Sequence, residues 1–134
     1  MGDAIGKATV MARILVLDDE ELMREAVRHA LERDGHEVSE ASDGPTAMGL
    51  FKDHPSDVVI TDLIMPNMDG TEVIRDLRRA APGVKIIALS GRGGICIKAN
   101  LDRALLTGAD RALMKPCDFD ELRRAVGELT KAKQ

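Results

Sequence analysis

The chain has 134 residues, of which 44% are apolar and 31% charged, and a formal net charge of −4. That length suits one domain with a sizeable core. Two Phe and no Tyr or Trp argue against base stacking on single-stranded nucleic acid. There is no long basic run and no apolar stretch of transmembrane length, so direct nucleic-acid and membrane partners are not expected.

Residues 1–11 lack the basic and apolar regions of a signal peptide and read as a short disordered tail, with Met11 an alternative start. Organised sequence begins at Ala12 and continues to about residue 132. Arg13–Leu17 is a continuous apolar run, expected of a strand buried on both faces. A helix over 20–34 follows, with Leu22, Met23, Ala26, Val27, Ala30 and Leu31 as its apolar stripe and Gly35 just past its end. His36–Glu40 alternates weakly, as an edge strand does. Asp43-Gly44-Pro45 turns into a second helix, with Ala47, Leu50 and Phe51 inward and Pro55 as its stop. Asp57–Thr61 is the most apolar run and the expected central strand.

Residues 65–70 read as a loop in which Gly70 permits a positive φ. A third helix over 71–80 turns Val73, Ile74 and Leu77 inward, and Pro82-Gly83 leads into a strand at 84–89. The Gly91–Gly94 loop precedes a helix over 97–106, with Ile97, Leu101, Ala104 and Leu105 on one side. Arg111–Met114 is a short strand. The last helix carries Phe119, Leu122, Val126 and Leu129 behind an Asp118 N-cap. Arg78-Arg79 and Arg123-Arg124 read as solvated helix faces. Cys96 and Cys117 lack CxxC spacing and His partners, and read as reduced thiols of a cytoplasmic protein.

Five strand-then-helix units imply an α/β fold, with helices on both faces of a five-stranded parallel sheet. Such folds bind ligands beyond the carboxyl ends of the strands. The groups expected there are Asp18-Asp19, Asp62, Ser90 and Lys115. Adjacent carboxylates at a buried strand end repel each other, and a hard cation such as Mg²⁺ relieves that repulsion; Asp19 could instead cap the following helix. Asp62 could act as a nucleophile toward phosphorus, as a third metal ligand or as a turn residue. Ser90 and Lys115 supply a hydroxyl and an ammonium for phosphoryl oxygens, although each alone would pass as a surface residue.

The segments Leu17-Asp18-Asp19-Glu20, Thr61-Asp62 through Asp69-Gly70, Leu89-Ser90-Gly91 and Met114-Lys115-Pro116 together resemble the receiver domain of bacterial two-component response regulators. The likeness spans about residues 12–132. It implies the flavodoxin-like strand order 2-1-3-4-5 and a phosphoprotein switch rather than an enzyme. Asp62 would accept a phosphoryl group from a sensor histidine kinase or phosphotransfer protein in a phosphorelay. Asp19, Asp62 and the backbone carbonyl of Ile64 would hold Mg²⁺, with Asp18 acting through water. Ser90 and Lys115 would engage the phosphoryl group, and the Lys115-Pro116 peptide would be cis. A downstream effector would dock on the face around residues 95–128.

The chain departs from the family pattern at Ala112, where an aromatic ring usually reports the hydroxyl's movement, so the 91–97 loop and its helix are expected to carry the signal. Ile64 and Arg92 occupy the rim positions that set phosphoryl lifetime, and imply slow self-dephosphorylation. Cys117 stands where many receivers have Phe. Two alternatives are a fragment of a longer regulator and a Mg²⁺-dependent aspartyl-phosphate phosphatase. The phosphatase would want a second Asp at the position of Ile64. A flavodoxin-like nucleotide binder is disfavoured because Asp18-Asp19-Glu20 would repel a phosphate.

Overall fold

Every second residue of the inner strands points to one of two separate apolar layers, which is how a sheet buried on both faces must be written. The computed structural model describes residues 11–65, 68–91, 97–115 and 118–131. The tail at 1–10, Arg92, Cys96, Pro116 with its peptide bond and Cys117 lie outside the described residues. In chain order the elements are β1 (Arg13–Leu17), α1 (Glu21–Arg33), β2 (Glu37–Ala41), α2 (Gly44–Asp53), β3 (Val58–Asp62), β4 (Ile64–Met65), β5 (Met68–Asp69), α3 (Gly70–Ala80), β6 (Lys85–Ser90), α4 (Ile97–Thr107), β7 (Arg111–Met114) and α5 (Phe119–Lys131).

Five strands form one parallel sheet in the order β2-β1-β3-β6-β7, which is the expected 2-1-3-4-5 once the two short strands are set aside. Those two form an antiparallel pair, Ile64 opposite Asp69 and Met65 opposite Met68, where the sequence suggested only a loop. Ile14, Val16, Ile60, Ile87 and Leu89 pack with Val27 and Leu31 of α1 and Leu122, Val126 and Leu129 of α5. Leu15, Leu17, Val59, Ile86 and Ala88 pack with Phe51 of α2, Val73, Ile74 and Leu77 of α3, and Ala104 of α4. Each fully buried aliphatic side chain contributes about 1.5–3 kcal/mol.

The helix ends follow from local chemistry. Asp43 accepts from Thr46 N at 2.7 Å ahead of Pro45, and Asp118 accepts from Asp120 N at 2.9 Å. Gly35 takes φ 91° after α1, a conformation that few side chains tolerate.

Three expectations are corrected. Leu22 is 82% exposed and lies off the α1 stripe, and Leu105 is likewise exposed on α4. Both stand beside residues that fill the inner face, and a helix turn cannot bury all of them. Arg78 is no solvated residue. Its guanidinium donates to the carbonyls of Gly108 at 2.9 Å, Pro82 at 3.1 Å and Val84, and to Asp110 Oδ2 at 2.6 Å. Asp110 also accepts from Ile86 N at 2.8 Å. One planar fork thus ties the end of α3 to the start of β6 and the α4–β7 turn. Arg123 forms a two-pronged pair with Asp34 at 2.7 and 2.9 Å, linking α5 to the end of α1; Arg79 is exposed as expected.

Arg78→Ala leaves three carbonyls and Asp110 short of a donor and should lower unfolding free energy by about 2–3 kcal/mol. Arg78→Lys should recover only a fraction of it. Urea melts with a common m-value check both.

A second prediction concerns His36, which is buried and accepts from Ala12 N through Nδ1 at 3.1 Å. Burial pushes its pKa below the ordinary value of 6.5, against the weaker pull of Asp34. A base with a depressed folded pKa contributes stability that is whole above the unfolded value and lost as pH falls through the folded one. The urea midpoint should therefore fall relative to that of His36→Asn, which keeps an acceptor but does not titrate, as pH drops below about 6.5.

Candidate functional site

Parallel strands bring their carboxyl ends to one edge, and the sheet register fixes which residues meet there. Asp62 and Ser90 are the last residues of β3 and β6, so each strand runs one position past the end expected from sequence. Leu63 N donates to Leu89 O at 3.0 Å and Lys115 N to Ser90 O at 2.8 Å, so the ladder continues into the site. Asp18 likewise stays in the sheet through its N–H to Ala41 O at 3.2 Å.

The carboxylates of Asp18, Asp19 and Asp62 each offer an oxygen within 4.8 Å of the others. Asp18 and Asp62 are almost wholly buried. Lys115 reaches between them, with Nζ 3.0 Å from Asp18 Oδ2 and 3.2 Å from Asp62 Oδ2, and 3.9 Å from Glu20. Asp18 Oδ1 accepts from Glu20 N at 2.9 Å, and Asp62 Oδ1 from Ile64 N at 3.3 Å. Asp19 does not cap α1: Glu20 holds the N-cap position and no side chain caps that end.

Two buried oxygens have no hydrogen-bond partner among the described residues, Asp19 Oδ1 and Ser90 Oγ. Unpaired buried polar atoms are costly and call for a ligand or water. A carboxylate oxygen orphaned beside two more carboxylates fits a hard cation, and an orphaned hydroxyl across the pocket fits an anionic oxygen. Burial raises the pKa of Asp62, and the charge of Asp18 adds to the rise, while Lys115 and the Ile64 N–H oppose it. Burial alone would lower the pKa of Lys115. Its hydrogen bond with Asp18 and the charges of Asp62 and Asp18 outweigh that and raise it.

Two glycines make the edge compact, and sequence reasoning missed why. Gly70 does not take the positive φ expected of it; a Cβ there would lie 2.4 Å from Asp62 O and 2.6 Å from Leu63 Cα. Only a residue without a side chain lets α3 start directly against the end of β3. A Cβ at Gly91 would sit 2.5 Å from Lys115 Cβ. The α3 start is further held by Asp69, which accepts from Thr71 N at 2.9 Å and Thr71 Oγ1 at 2.8 Å. Arg103 of α4 stands 3.5 Å from the same carboxylate. Glycine spacing gave no signal for these approaches, because they depend on neighbours distant in the chain.

Residues 14–127 match the response regulator receiver domain family. The chain is 39% identical over 111 residues to the response regulator MprA of Mycobacterium sp. strain KMS, covering 82% of this chain and 46% of that protein. MprA of Mycobacterium avium strain 104 is 37% identical over the same length. The chain thus spans about half the length of these relatives. Among solved structures, a receiver domain from Clostridium thermocellum superposes with TM-score 0.83 at 33% identity, covering 92% of this chain and 97% of that one. The Francisella response regulator 1452 receiver domain superposes with TM-score 0.82 at 29% identity, covering 92% and 99%.

A flavodoxin-like fold with an acidic pocket at the strand ends is thus that of a regulatory phosphorylation domain. The chain belongs to the receiver domain family of two-component response regulators. Receiver domains bind Mg²⁺ at such a pocket and interact with histidine kinases and effector domains. They are regulatory rather than turnover enzymes. Among the described residues no helix is long and apolar enough to cross a membrane.

A carboxylate whose folded pKa is raised contributes stability that is present below its unfolded pKa and lost as pH rises through the folded one. Ionised Asp62 therefore costs stability at neutral pH. In Mg²⁺-free buffer at neutral pH, Asp62→Asn should raise the urea midpoint above the parent's. The gap should vanish at a pH below the unfolded carboxylate pKa, which a pH series of melts checks.

Proposed function

We propose that Asp62 accepts a phosphoryl group from a phosphohistidine on a sensor histidine kinase or phosphotransfer protein, and that the aspartyl phosphate switches partner binding. The single observation that carries this is the buried Ser90 Oγ, without a hydrogen-bond partner among the described residues, at the same sheet edge as Asp62 and Lys115. An Asp62 oxygen attacks phosphorus and the donor P–N bond breaks, its electron pair leaving with the imidazole, which takes a proton from solvent. The family's metal site would be Asp19, Asp62 and the Ile64 carbonyl, with Asp18 acting through water; the bound Mg²⁺ supplies positive charge against the phosphoryl oxygens.

Lys115 already lies between Asp18 and Asp62, so it can turn to a phosphoryl oxygen without crossing the pocket. Ser90 Oγ gives up no hydrogen bond to the described residues when it engages another oxygen. These two groups pull on the ends of β6 and β7, which are joined by Lys115 N to Ser90 O. Ala112 is half-buried against the α2–α4 core layer and carries no ring to relay the change. We assign the relay to α4 and the loop before it, most of which lies outside the described residues. The output face would comprise α4, β7 and α5, where Leu105, Met114 and the 88% exposed Leu106 stand in solvent. The 46% coverage of the mycobacterial regulators suits a receiver within a longer regulator, while a stand-alone switch remains the alternative that full-length gene context separates.

Acetyl phosphate with Mg²⁺ should label the parent and not Asp62→Asn; label retained in that variant removes Asp62 from its role. Ile64, half-open at the rim and apolar, cannot orient an attacking water. Ile64→Asn should lose phosphate faster than the parent in a phosphate-release assay, and equal lifetimes reject the assignment. With beryllofluoride, amide shifts should extend along α4; shifts confined to the immediate neighbours of Asp62 reject the relay.

A further inference from the structure

Asp18 is held at every polar atom but one by partners already described: its N–H by Ala41, Oδ1 by Glu20 N and Oδ2 by Lys115. Its carbonyl oxygen is taken by a side chain from outside the pocket, Arg24, whose Nη1 donates at 2.8 Å. Arg24 lies in the first turn of α1, and helical side chains lean toward the N-terminus of their helix. That direction carries the guanidinium back over the β1–α1 turn. The same guanidinium donates Nε to Glu40 Oε1 at 3.0 Å, and only 15% of the Arg24 side chain is exposed. Glu40 lies on β2 beside Val16 and is also paired with Arg28 on the next turn of α1. A planar fork thus spans from the edge strand to the main chain of one of the pocket's two buried acids.

We propose that Arg24 is a positioning residue for the cation site, fixing the Asp18 main chain so that the Asp18 and Asp19 carboxylates face Asp62, with Glu40 orienting the fork. The inference rests on the proposed Mg²⁺-dependent function. Arg24 touches neither the ion nor the phosphoryl group. It acts through a backbone carbonyl, so it carries a signature that a simple charge effect does not. Removing a cation near an acidic pocket tightens divalent-ion binding by Coulomb's law. Losing the position of two ligands weakens it, and partners behind the ligands are worth about 10–100-fold in metal affinity. The sign of the change separates the two.

The test is a Mg²⁺ titration of the intact chain followed by amide chemical shifts, with no phosphodonor present. Arg24→Ala should bind Mg²⁺ about tenfold more weakly than the parent. Arg24→Lys keeps the charge and one donor but cannot serve Asp18 and Glu40 in one plane, so it should fall between, at about threefold weaker. Affinity equal to or tighter than the parent's in Arg24→Ala overturns the proposal, and so does parent-like affinity in Arg24→Lys. The lysine variant decides alone if the alanine variant does not fold. A parent that shows no Mg²⁺ response overturns the functional reading itself, which distinguishes that failure from a parent that binds alongside variants that bind equally.

Discussion

The structure is organised around one electrostatic problem. Asp18 and Asp62 lie almost wholly out of water at adjacent strand ends, with Asp19 beside them. Carboxylates so placed repel each other, and burial makes each charge dearer. Lys115 is the internal answer, an ammonium from the end of β7 lying between two carboxylates from β1 and β3. Its own burial works against its charge, and those partners outweigh that effect. The ion pair and the sheet therefore depend on each other. The parallel register brings the three strands' ends together, and the charges keep those ends in contact.

The answer is also incomplete, which suits the proposed function. Lys115 leaves Asp19 Oδ1 and Ser90 Oγ without hydrogen-bond partners among the described residues. A pocket fully satisfied from within would gain nothing from a cation or a phosphoryl group. Here the ground state already carries the unpaired acceptor and the unpaired hydroxyl that those ligands would satisfy. The glycines at 70 and 91 allow the walls of the pocket to approach closely.

Outside the pocket, arginines act as ties between elements. Arg78 joins α3, β6 and the α4–β7 turn, Arg123 joins α5 to α1, and Arg24 joins α1 to β2 and the acidic turn. Each uses the flat guanidinium to satisfy more than one acceptor in one plane with a rigid fork, a geometry that the flexible ammonium of a lysine does not supply. With two Phe and no larger aromatic in the chain, the core packs aliphatic layers, and these forks supply long-range orientation between them.

Alternating apolar strands and striped helices dictated the α/β fold in the sequence itself, because burial on both faces demands continuous apolar runs and a 3.6-residue stripe on each covering helix. The residue types at the strand ends dictated the chemistry, since parallel strands must present their ends on one edge. Tertiary structure alone decided the rest. A run of letters does not distinguish Leu22, in solvent, from Val27, in the core, when both fall near one stripe. It does not show that Gly70 serves a close approach to Asp62 O rather than a turn, or that Arg78 and Arg24 tie distant elements together while Arg79 stays exposed on its own helix. Those outcomes depend on which atoms from distant segments arrive within a few ångströms, and only the folded register sets that.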